Sequence, residues 1–183
     1  MPDAHAPTDR LPDAEPGALA SGDADLGGQM RGLLRRMASP VTVVTCWADG
    51  KPRGATIGSF ASLSLNPPLI SFNVQRQGRF HADITKASRF AVHALAAGQA
   101  DLADLFAESG DKSPELFAGG LSNATAPLLE GTQGVLLCRP YALHRTGDHT
   151  LVIGQVTDVL PGADAAPLLY QSRHYRTVGG TVA

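Results

Sequence analysis

Residues 41–46 (VTVVTC), followed closely by Asp49-Gly50, most constrain the fold of this chain. A dense run of β-branched residues favours a strand. Asp-Gly is the pair that a tight two-residue reversal asks for, because its central positions need left-handed backbone. The pattern predicts a β-hairpin, with residues 54–65 supplying the return strand or strands. Residues 69–74 (LISFNV) then place Ile70, Phe72 and Val74 on one face and Ser71 and Asn73 on the other, the two-residue period of a strand. Residues 90–95 (FAVHAL), 135–141 and 151–160 are further candidates, the last alternating over its whole length.

Helices interrupt these strands. Met30, Leu33, Leu34 and Met37 recur at i, i+3, i+4 and i+7, a single helical face; Arg31, Arg35 and Arg36 occupy the others. The stripe reads as core packing, and Ser39-Pro40 ends it. Residues 82–88 predict a short helix. Residues 99–108 predict another, with Leu102, Leu105 and Phe106 on one face. Residues 109–130 read as a long loop with one turn of helix, and a loop of that length in a compact domain is often part of a site. Residues 1–28 are rich in Pro, Asp, Ala and Gly, too poor in large apolar groups to offset their ordering entropy. They predict a disordered leader, leaving residues 29–183 as a single domain. Antiparallel strands with a few helices between them predict a mainly β fold with α additions, a β-barrel. No Gly-x-Gly-x-x-Gly follows a strand and no βαβ rhythm is present, which argues against a Rossmann domain.

Composition narrows the functional classes. The net charge over 183 residues is −2, and Lys and Arg are scattered. Such a chain carries no electrostatic footprint for nucleic acid or for an anionic membrane. No apolar run reaches the length of a membrane span, and no secretory signal is visible. Cys46 and Cys138 each sit in an apolar or β-branched run without Cys-x-x-Cys spacing, and read as buried free thiols in a reducing cytoplasm. The six histidines form no His-x-x-x-His or His-Glu-x-x-His pattern, so no metal is expected. Gly58-Ser59-Phe60 approaches a nucleophile elbow but lacks its second glycine.

Residues 54–68 (GATIGSFASLSLNPP) carry the functional signal. Thr56, Ser59, Ser62 and Ser64 supply hydroxyls that donate or accept. Gly54 and Gly58 remove bulk where a ligand must come close. A planar ring with a phosphate tail fits such a surface. Spacing alone leaves this reading level with a serine-rich edge strand ending at a proline turn. Downstream, Arg76 and Arg79 flank Gly78 just after a strand, an arrangement suited to a phosphate or to a solvated basic loop. Gly147-Asp148-His149 lies between two strands, where Asp148 is placed to fix the tautomer of His149.

Taken in order, these pieces resemble the flavin reductase-like domain, the FMN-binding split barrel of short-chain NAD(P)H:flavin oxidoreductases. The resemblance runs from about Leu33 to Val178. It rests on residues 39–45 (SPVTVVT), 54–68 and 90–95 with Gln99 and Leu102, then on Phe106-Ala107, Gly147-Asp148-His149 and residues 167–170 (PLLY) with Tyr175. It implies a split β-barrel and a homodimer with flavin near the subunit interface. FMN or FAD would be the flavin, NADH or NADPH the reductant, and a flavin-dependent monooxygenase the recipient. Thr56, Ile57, Gly58, Ser59, Phe60, Ser62 and Ser64 would line the flavin. Ser62, Ser64 and the turn holding Arg76, Gly78, Arg79 and Phe80 would lie toward its phosphate. Tyr175 joins this set, and His149 matches the nicotinamide side of the site. The chain departs from the family where Gly78 and Phe80 replace a common Ser and Thr, where Gly58 replaces a larger residue, and where His93 replaces Asn. The alternative is a flavin-binding electron-transfer or sensing module without pyridine-nucleotide activity. The Gly147-Asp148-His149 match argues against a third reading, an amine oxidase of the pyridoxamine-phosphate-oxidase type.

Overall fold

The computed structural model describes residues 25–117 and 125–179. Most of the leader expected at residues 1–28 therefore lies outside the described residues. Its last residues begin helix α1 (Leu26–Leu34), which starts earlier than the apolar stripe indicated. Then follow β1 (Ser39–Pro40), β2 (Thr42–Ala48), β3 (Lys51–Ile57), β4 (Ala61–Leu65), β5 (Pro68–Gln75), α2 (Arg79–Ile84), β6 (Phe90–Ala94) and α3 (Ala100–Ala107). A 3-10 turn (Pro114–Leu116) stands in the described part of the long loop. The chain continues with β7 (Gly134–Thr146), β8 (His149–Pro161), β9 (Leu169–Gln171) and β10 (His174–Arg176).

Seven strands form one antiparallel sheet in the order β3-β2-β6-β7-β8-β5-β4, and β1, β9 and β10 form a small second sheet. The β2–β3 reversal is the one expected: Asp49 and Gly50 both have positive φ, 51° and 70°. Gly147 (φ 57°) opens the β7–β8 hairpin, so that Thr146 pairs with His149. The mirror-image turn that twisted strands require favours glycine at this first central position. Ser59, just past β3, accepts a hydrogen bond at Oγ from the Asn73 amide of β5 at 2.9 Å.

The dense β2 run is explained by burial on both faces. Val44 and Cys46 enter a core with Ile70, Phe72, Val74, Phe90 and Val152. Val43 enters a second core beneath α3, with Leu95, Ala103 and Phe106. Phe72 and Phe90 meet edge to face, ring centres 5.7 Å apart. Burial pushes the Cys46 and Cys138 thiols up to about 12, so both remain protonated.

Three expectations need correction. Met30, Leu33, Leu34 and Met37 do not pack into the core: all lie more than half exposed, as does Leu26. Helical period reports that a helix has an apolar face but not what covers it. Helix α2 begins at Arg79 rather than at residue 82, because Gly78 supplies an extended N-cap (φ −72°, ψ 145°) directly after β5. In α3 the buried residues are Ala103 and Phe106, while Leu105 is exposed.

Candidate active site

A cleft of about 740 Å³ opens between the C-terminal half of β3, the end of β5, helix α2 and the segment after α3. Its size suits a nucleotide-sized ligand. Strand β3 brings Thr56 and Ile57 to the wall, and the chain leaving it brings Gly58 and Ser59. The turn into α2 contributes Gly78, Arg79 and Phe80, and the first residue of β8 contributes His149. Sequence separations of up to about 90 residues thus converge on one opening because β5 pairs with β8, with Gln75 opposite His149.

Glycines shape the wall in two ways. A Cβ on Gly54 would stand 2.6 Å from Phe106 Cε1, so its small size lets α3 lie directly against β3. A Cβ on Gly58 would approach nothing nearer than Ser39 Oγ at 3.5 Å, so this glycine leaves open space on the cleft side. Among the described residues β3 is an edge strand paired with β2 alone, and such an edge leaves main-chain groups for another partner.

The hydroxyls are less free than their spacing implied. Thr56 donates to the Ala103 carbonyl at 2.6 Å, which ties β3 to α3. Ser59 is engaged with Asn73. Both retain accepting capacity, but their structural bonds come first. The open cation in the cleft is Arg79, exposed and without a protein partner among the described residues. Arg53, by contrast, is held by Asp83 at 3.7 Å and by Asp111. The Arg53 hydrogen bond keeps the Asp111 carboxyl below its ordinary range.

His149 Nδ1 lies 2.7 Å from Asp148 Oδ1. That bond holds the Asp148 carboxyl below its usual pKa, so it stays an acceptor and the imidazole proton sits on Nδ1. In the neutral ring this tautomer leaves Nε2 as the acceptor.

Five expected residues stand elsewhere. Phe60 packs against the interior core. Ser62 is exposed and Ser64 half-buried on β4, at the far edge of the sheet. Arg76 donates to the Gly147 carbonyl at 3.3 Å and lines a separate recess. Tyr175 donates to Asp104 at 2.6 Å and meets Tyr170 edge to face; burial, with Asp104 adding to it, raises its pKa. Sequence reasoning also passed over wall residues that the fold supplies, chiefly Arg53, Asp83 and residues 106–111. One signal was present, a lone arginine within the small-residue run around Gly54. The long loop after α3 does reach the site, through Ser109, Gly110 and Asp111.

The antiparallel β scaffold thus brings the free Arg79 guanidinium, the carboxylate-steered His149 and apolar wall residues to one roomy cleft. Residues 34–179 match the flavin reductase like domain, and the chain belongs to that family. It is 39% identical over 157 residues to the NADH:FMN oxidoreductase of Rhodococcus qingshengii, covering 81% of each chain. To the reductase component of 4-hydroxyphenylacetate 3-monooxygenase from Thermus thermophilus it is 36% identical over 143 residues, covering 78% of this chain and 91% of that one. Among solved structures, the NADH:FAD oxidoreductase SgcE6 of Streptomyces globisporus, in complex with NAD and FAD fragments, superposes with a TM-score of 0.77 at 31% identity, covering 88% of this chain and 96% of the other.

Proposed function

We propose that this protein is an NAD(P)H-dependent flavin reductase that supplies reduced flavin, FMN or FAD, to a separate monooxygenase. The observation that carries the reading is the open cleft beside His149, with its apolar floor and one unpaired cation. The residues fit a flavin. Ile57, Val74 and Phe80 offer apolar surface, Gly58 leaves room for a flat ring to lie against main chain, and Arg79 stands ready for a phosphate. Gly78 and Phe80 bring no hydroxyl to that phosphate, so Arg79 takes a larger share of holding it.

Bound flavin supplies the two-electron acceptor for a hydride from reduced nicotinamide. The chain's own residues bind and orient. His149, its tautomer fixed by Asp148, presents Nε2 to the amide hydrogens of a nicotinamide carboxamide. Orientation is the whole task, since hydride transfer asks for no strong base; holding two reactants in register is itself a large part of the acceleration. Thr56 and Ser59 act through the wall they brace more than through free hydroxyls.

We also propose that the scaffold is the split barrel of this family, its closure supported by the Ser59–Asn73 bond. The working unit is a homodimer, a reading supported by the exposed apolar face of α1. Residues 29–183 form one domain preceded by a leader, and two unpaired buried thiols favour the cytoplasm. The test is anaerobic: purified protein, flavin and NADH or NADPH, following the flavin absorbance. Bleaching at a rate set by protein concentration is expected. No bleaching with either nucleotide and either flavin would sink the reading.

A further inference from the structure

Beside the main cleft lies a recess of about 440 Å³, lined by Gln75, Arg76, Gln77, His81 and Asp148. The two openings are neighbours. Gln75 lines both, and the Asp148–His149 pair straddles them, His149 in the cleft and Asp148 in the recess. A ligand with one end at His149 therefore has its other end within reach of the recess.

Arg76 and Arg79 are separated by two residues yet serve different openings. The Gly78 amide donates to the Gln75 carbonyl at 3.0 Å, closing a tight turn, and the Arg76 amide donates to the Asp148 carbonyl at 3.0 Å. That second bond lays the turn against the β7–β8 hairpin, so Arg76 projects on the hairpin side. Helix α2 starts immediately after the turn and carries Arg79 into the cleft. Arg76 makes one long bond, 3.3 Å, to Gly147, which leaves most of its five donors unused. His81 is fixed by Thr150 Oγ1 at 2.9 Å. Asp148 directs one oxygen at His149, leaving the other for a hydroxyl, and Arg31 of α1 is close enough to act on the same carboxylate.

A flavin phosphate and a dinucleotide pyrophosphate are both anions. Bound together at one arginine they would repel, and that repulsion grows in a partly dry cleft. Two cations in two adjoining openings remove the conflict. We propose that the recess binds the adenosine-diphosphate end of the nicotinamide dinucleotide, with Arg76 on its pyrophosphate and the outer oxygen of Asp148 accepting a ribose hydroxyl. This rests on the reductase reading, and it moves Arg76 from the flavin phosphate, where the family resemblance had put it, to the nicotinamide nucleotide. Arg79 alone keeps the flavin phosphate.

The direct probe is ADP-ribose, titrated calorimetrically into flavin-free protein. Binding is expected in the wild type, weakened about tenfold or more by Arg76→Ala, partly restored by Arg76→Lys, and little changed by Arg79→Ala. FMN affinity should show the reverse dependence. In turnover, Arg76→Ala should raise KM for NADH about tenfold with kcat nearly constant. KM for reduced nicotinamide mononucleotide, which lacks the adenylate half, should not move. Arg76 is exposed, so its variants should melt with the wild type. No ADP-ribose binding by the wild type, binding abolished by Arg79→Ala instead, or an equal loss with both nicotinamide substrates would each overturn the proposal. Failure of the wild type to reduce any flavin would overturn the reductase reading itself, a result separable from these.

Discussion

His93 provides the sharpest test of the interior. The ring is fully buried and bridges two elements: Nδ1 lies 3.0 Å from the Val43 carbonyl on β2, and Nε2 accepts from the Leu129 amide at 3.2 Å. The proton therefore sits on Nδ1, and protonating Nε2 would turn the Leu129 acceptor into a donor facing a donor. Burial lowers the pKa from 6.5 to about 4, against a smaller opposing effect of the Val43 bond. Between those values the unfolded chain binds a proton that the folded chain refuses. Stability is therefore complete above pH 6.5 and falls as pH drops toward 4, by at most about 1.4 kcal/mol per unit and about 3 kcal/mol in all. In His93→Asn the amide nitrogen can keep the Val43 bond, but the Leu129 amide loses its acceptor, at about 1–3 kcal/mol. That loss does not titrate. Urea unfolding followed by the single tryptophan, Trp47, should show the variant less stable at about pH 8, with the gap narrowing by about 2 kcal/mol by about pH 5. A gap that stays constant across this range refutes the assignment.

Other consequences follow from the same geometry. Arg79→Ala should weaken FMN about tenfold or more while leaving riboflavin, which has no phosphate, nearly unchanged; equilibrium fluorescence titration reads both. His149→Ala should raise the nicotinamide KM more than the flavin Kd, and the opposite pattern in steady-state and binding assays would refute its role. Gly54→Ala sets a Cβ 2.6 Å from the Phe106 ring and 3.1 Å from the Val44 carbonyl, and should cost about 1–3 kcal/mol by thermal melting through displacement of α3. Leu33→Glu in α1 with Met37→Glu just beyond it, both exposed, should shift the proposed dimer to monomer in sedimentation without loss of secondary structure.

The strands were legible because each records its surroundings in its own residues. Ile70, Phe72 and Val74 alternate with Ser71 and Asn73 since one face of β5 meets the core, and Asp49-Gly50 can turn only one way. Helix α1 misled because the stripe of Met30 and Leu33 is identical whether the covering surface belongs to the same chain or to another molecule. The site was half legible. Thr56 to Ser59, Arg79 and His149 do meet at one cleft, yet Ser62 and Ser64 continue onto an edge strand because the chain turns away after Phe60. Arg76 and Arg79 look equivalent by spacing, and only the turn at Gly78 sends them to different openings. The opposite wall, Asp83 and residues 106–111, comes from packing across distant elements, which no local period encodes.

The central claim is that flavin and nicotinamide meet between the residues 57–59 wall and His149. A crystal structure with FMN tests it most directly. The ring should lie along the main chain at Gly58, the phosphate should reach Arg79, and His149 should border the exposed ring face. Flavin bound outside this cleft, or seated there with its phosphate away from Arg79 and His149 turned aside, would contradict it.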